Sequence, residues 1–214
     1  MNISEIKKWS KEKVKGKRWS ILPAIIVASI ITGISFTYKT SNDSYAYINI
    51  GWIFYSVEIG LTYFLVNFIT DKKYSIDDLF YFAKDFLKGL IVSLLSGIFI
   101  SLWSLLLIIP GLIKVLAYSL IPMIMSDEKY KDLGYMDTLK LSESMMKGHK
   151  WEYFLLGLSF IGWHILAIFT LFILELWIVP YQQVATTKFL YEVKNEYEKK
   201  NKSNKKEDKK KESK

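Results

Sequence analysis

Four side chains sit where chemistry would be expensive and therefore informative: Glu58, His164, Gln182 and Gln183, all set in apolar runs. Glu58, in "FYSVEIGLTYF", and His164, in "IGWHILA", each fall near the middle of such a run. An ionisable group in hydrocarbon is costly, which makes each a functional candidate by default. A Glu58–His164 contact would let either group stay charged without an isolated penalty and could relay a proton. The alternative is a neutral hydrogen-bonded contact that fixes helix packing. Gln182, Gln183, Thr186 and Thr187 make the last apolar run polar, with Gln183 and Thr187 four apart on one helical face. They glue helices together or line a wet cavity. Lys114 and Glu175 fall near run ends, where a surface ion pair or snorkelling accounts for them.

Other chemistries are poorly served. The chain has no cysteine, so there is no disulfide framework, thiol nucleophile or thiolate metal site. His149 and His164 are its two histidines and make a poor metal pair, and no H-E-x-x-H, G-x-S-x-G, P-loop or G-x-G-x-x-G is present. The carboxylate pairs Asp77/Asp78 and Asp127/Glu128 stand beside predicted helix starts, where they complement the helix dipole. The expectation is a protein that is not an enzyme, with no catalytic, metal or cofactor-binding residue and no cofactor.

The elements that would position these residues follow from charge segregation. Of 214 residues 51% are hydrophobic and 23% charged, yet 19–36, 48–70, 90–109 and 151–174 are almost free of Lys, Arg and Asp. Each is close to the ~20 residues a helix needs to cross ~30 Å of hydrocarbon. The first run is longer than a signal-peptide core and lacks an A-x-A site, so it reads as a span. Pro110–Gly111 breaks the middle run, and 112–125 returns as a short fourth span. A reversal near Leu174 and Glu175 leads into a sixth, 176–191. Segments 1–18, 71–88, 127–151 and 188–214 hold 27 of the 29 basic residues, leaving Lys39 and Lys114 for the opposite side. Six spans with both termini cytoplasmic satisfy the positive-inside rule. The fold class expected is all-α: a polytopic membrane protein with six transmembrane helices as three hairpins, each preceded by an amphipathic interfacial helix.

A recurring motif marks the three entries: Lys15–Gly16 with Trp19, Lys88–Gly89, and Lys147–Gly148 with Trp151. Glycine supplies the left-handed turn that ends an interfacial helix, Lys snorkels, and Trp anchors the entry. Upstream of the second copy, Ser75 with Asp78 reads as a capping box. Ile76, Leu79, Phe80, Ala83, Phe86 and Leu87 then fall at α-helical spacing. Approximate units are 1–70, 71–126 and 127–193, forming one membrane domain over 1–193. The tail, 194–214, carries ten Lys against five acids, reads as disordered and cytoplasmic, and would be drawn to an anionic inner leaflet. Nucleic acid is not an expected partner, because no aromatic or Arg pattern accompanies the lysines.

"LWSLLLIIPGLIKVLAYSLIPMIMSD", "LKLSESMMKGHKWEYFLLGLSFIGW" and "LWIVPY" resemble the bacterial integral-membrane family labelled domain of unknown function 975. The resemblance covers most of the chain, with the lysine tail outside it. It implies a multi-span cell-membrane protein of Firmicute type and carries no established activity. Two function classes stay open. One is an accessory, envelope-maintenance or peptide-immunity component with a membrane-protein partner. The other is a small transporter or permease for a lipid, peptide or small solute, using a cavity around Glu58, His164, Gln182 and Gln183.

Overall fold

The structure, a computed structural model, describes residues 2–39, 45–49 and 51–212. Ile50, within the expected second run, and the last two residues of the tail lie outside the described residues. The chain opens with α1 (Ile3–Val14), capped by the Asn2 side chain, which accepts from the Ser4 amide. α2 (Arg18–Thr32) follows, then a β-hairpin of β1 (Ser35–Lys39) and β2 (Tyr45–Asn49), antiparallel with Ser35 opposite Asn49. Then come α3 (Tyr55–Ile69), a 3-10 helix over Ile76–Asp85, α4 (Phe86–Leu106), α5 (Ile108–Tyr118) and α6 (Ile121–Met125). α7 (Tyr135–Met145), α8 (Lys150–Phe169) and the long α9 (Glu175–Glu212) complete it.

The all-helical expectation stands, with the small hairpin as its exception. Three segments are long and apolar enough to cross a membrane: Phe86–Leu105, Ile108–Met125 and Lys150–Phe169. Only 11% and 17% of the most apolar windows in the first and third are buried, so α4 and α8 present apolar surface nearly all round. Six spans in three hairpins is more than the fold carries. α2 and α3 have 15 residues each, about 22 Å at ~1.5 Å per residue, short of ~30 Å. The sixth run is the start of one 38-residue helix. Arg18, at the foot of α2, stands 5.6 Å from the ring of Trp177, three residues past the α8–α9 turn. Those two positions were expected at opposite faces.

Local chemistry explains the boundaries. Pro110 does not break the middle run. It sits in the first turn of α5, where a missing N–H is tolerated, and the reversal falls at extended Leu107. The Ser75–Asp78 capping box is present, but the helix it starts is 3-10. With about three residues per turn, Leu79 and Phe82 share the inward face and Phe80 is exposed, while Ile76, in the first turn, is exposed as well. That 3-10 backbone lies directly on α3 at Gly60, where an added Cβ would stand 2.1 Å from the Leu79 carbonyl oxygen.

Among the described residues the core gathers at three places, one of them Val92, Ala117, Ile121 and Leu139 between α4, α5, α6 and α7. Ile6, Phe160, Ala185 and Phe189 join α1, α8 and α9, and Ile25, Phe64, Phe68 and Val184 join α2, α3 and α9. These last two pass through α9, so that helix is their common wall. It does not stop at 193. The stretch from 194, expected to be disordered, continues α9 to Glu212. Lys and Glu are good helix formers, and Lys200 pairs with Glu196 four residues back.

Candidate functional site

His164 lies on α8, and both its ring nitrogens are taken. Nδ1 is 2.8 Å from the Glu175 carboxylate and Nε2 is 2.6 Å from the Gln182 side-chain oxygen. A ring protonated on both nitrogens donates to both acceptors. With the Gln182 amide turned about, a neutral ring is satisfied instead. All three residues belong to the α8–α9 hairpin. The cluster therefore ties the two helices together just below their turn.

Glu58 does not join them. It is accessible on α3 and lies beside the phenols of Tyr55 and Tyr153. Tyr153 precedes His164 by eleven residues on α8, about 16 Å along the axis. The Glu58–His164 contact is thus replaced by His164–Glu175–Gln182. Gln183 is half-buried and Thr187, one turn on, is buried in the wall between helices. Among the described residues no three His, Asp or Glu side chains gather as a metal set.

Lys114, expected near an outer end, bonds both oxygens of Glu143 on α7, at 2.8 and 3.0 Å. Its partner belongs to the segment counted as cytoplasmic. Lys114 and that segment, expected on opposite sides, are therefore in direct contact.

The KG motif divides. Gly16 (φ +77°) and Gly148 (φ +90°) take the left-handed conformation, ending α1 and α7 before α2 and α8. Trp19 and Trp151 beyond them are exposed, as anchors would be. Lys88 and Gly89 are different, because they lie inside the first turn of α4 and form no hinge. Lys88 reaches the Lys131 carbonyl, and Gly89 packs against Ile59 of α3.

A polar clasp escaped the sequence reading. Lys194 of α9 binds Asp127, Glu198 meets Lys129 at 2.9 Å, and the Tyr130 hydroxyl donates to Glu198 at 2.8 Å. His149 lies 3.3 Å from Glu152 and 3.7 Å from Glu196. Burial pushes the Asp127 carboxyl up, but Lys194 and the Lys129 amide overcome it and hold the group below its ordinary range. Glu198 is likewise opposed by burial and drawn down by Lys129 and Tyr130. Burial and the bond to Glu198 push Tyr130 up to about 12. Partners some 67 residues apart leave no local spacing to read.

No curated protein and no solved structure matches this chain. A family does: its pattern matches residues 1–117 and 105–197, which takes in every element above except the far end of α9. The chain belongs to the family described as Protein of unknown function (DUF975).

Proposed function

We propose that the chain is a multi-pass protein of a bacterial cell membrane that acts without catalysis, as an accessory, envelope-maintenance or peptide-immunity component working through other membrane components. α4, α5 with α6, and α8 cross the bilayer in this reading, and the first half of α9 returns the chain. Both termini stay in the cytoplasm with the basic segments, whose lysine bias supports that orientation.

The observation that carries the reading is one face of α8. Leu158, Ile161, Ile165 and Ile168 recur at helical spacing, and each is exposed. An apolar stripe of this kind calls for lipid or a partner helix. The polar residues favour the same reading over transport, because a permease would draw Glu58, His164 and Gln182 to one cavity. Here the hydrogen bonds of His164 stay within one hairpin. Purification from native membranes in mild detergent, followed by mass spectrometry, tests it. A membrane protein should accompany the chain at constant stoichiometry and be lost from the double variant Ile161→Trp/Ile165→Trp. Purification alone, with the variant indistinguishable from the parent, sinks the accessory reading.

A further inference from the structure

Three cations along one stripe of the chain have no counter-charge among the described residues. Lys7 and Lys11 of α1 and Arg18 at the start of α2 line a groove of about 300 Å³ against the α8–α9 hairpin. Lysines nearby are neutralised: Lys13 by Asp71 at 2.6 Å, Lys188 by Glu192 at 3.1 Å. In the groove, among the described residues, no carboxylate pairs with any of the three cations. Lys7 donates instead to the neutral carbonyl and hydroxyl of Ser159, at 3.1 and 3.0 Å, and burial pushes its ammonium pKa down.

Arg18 is the sharper case. Its guanidinium faces the Trp177 ring, and its Nε is buried without a hydrogen-bond partner. A buried donor left unpaired is destabilising, so an acceptor belongs there. The opposite wall is apolar, formed by Trp163, Trp177 and Ile178. Glu175, the carboxylate nearest that wall in sequence, is held by His164. A soluble anion would satisfy the basic end alone and leave the aromatic wall wet. A neutral lipid would do the reverse.

We infer that this groove holds one anionic phospholipid, its phosphate among Lys7, Lys11 and Arg18 and an acyl chain along Trp163, Trp177 and Ile178. The inference rests on the membrane reading above and adds a ligand to it. It differs from a diffuse attraction between lysines and a charged leaflet, because it needs these three cations and that wall together.

The full chain in vesicles of phosphatidylcholine with a minor share of phosphatidylglycerol supplies the test, with bromine carried on the chains of one lipid or the other. Bromine quenches nearby indoles, and Trp163 and Trp177 form the wall. Brominated phosphatidylglycerol should quench at a several-fold lower mole fraction than brominated phosphatidylcholine. The Lys11→Gln/Arg18→Gln variant should abolish that preference, and exposed Lys11→Gln alone, which guards against a folding defect, should reduce it by up to about fivefold. Lys199→Gln/Lys202→Gln, which removes equal charge from exposed positions of α9, should keep it. Equal quenching by both lipids, or equal loss in both double variants, overturns the groove while leaving the membrane reading intact. A chain quenched by neither lipid and recovered outside the vesicles overturns the membrane reading instead.

Discussion

His164 shows how a residue of a candidate intramembrane polar site can serve as a fastening. Its ring joins Glu175 and Gln182 across a single turn, so its removal leaves two polar groups without partners inside the hairpin. His164→Ala should cost about 2 kcal/mol, read as a lower thermal midpoint in detergent. Glu58→Gln should stay within about 0.5 kcal/mol, because the structure gives that carboxylate no hydrogen-bonded partner among the described residues. If Glu58→Gln were the more damaging of the two, the hairpin-fastening account would fail. The types of these residues were legible in the sequence, since polar groups in apolar runs announce themselves. Their pairing was not. Glu175 had been placed at a surface end, and only the tightness of the 170–174 turn brings it back over His164.

Elements divide in the same way between what is local and what is not. The apolar runs, the capping box at Ser75 and the hinges at Gly16 and Gly148 rest on neighbours within a few residues, and each was legible. The choice of 3-10 over α-helix at Ile76–Asp85 was not, because it depends on how closely that backbone settles on Gly60. The KG motif offers a direct contrast. Gly148→Ala forces a left-handed alanine and should cost about 1 kcal/mol, whereas Gly89→Ala, inside α4 with only ordinary contacts around its Cβ, should be neutral or gain up to about 1 kcal/mol. Thermal midpoints of the two variants should move in opposite directions or differ plainly in size. The clasp between α9 and the Asp127–Tyr130 loop adds a pH test. Both Asp127 and Glu198 titrate below their ordinary values, so their contribution is complete above about pH 4 and drains as pH falls further. The thermal midpoint should decline from pH 5 to pH 3, and Lys194→Gln should flatten that decline.

For the whole molecule the missing cysteines become a tool. Single substitutions Ser35→Cys and Ser203→Cys, each the only thiol in its chain, can be labelled in intact cells by a membrane-impermeant maleimide. The orientation proposed above expects Ser203→Cys to react only after the membrane is opened, and reaction before opening would reverse it. Overall charge segregation announced the helices long and apolar enough to cross a membrane, but their mutual placement was hidden. Lys114 with Glu143 and Arg18 with Trp177 bring together residues that the run lengths had assigned to opposite faces. One feature then changes what the lysine-rich end can do. α9 has 38 residues and is about 57 Å long, and its contacts at Lys194 and Glu198 set its direction away from the α8–α9 turn. Electrostatic attraction fades over ~8 Å at physiological salt. A slack tail could fold its lysines back onto lipid headgroups, but a strut cannot. In the orientation proposed above, its far charges would stand outside the screening distance of the bilayer and face whatever occupies the aqueous side.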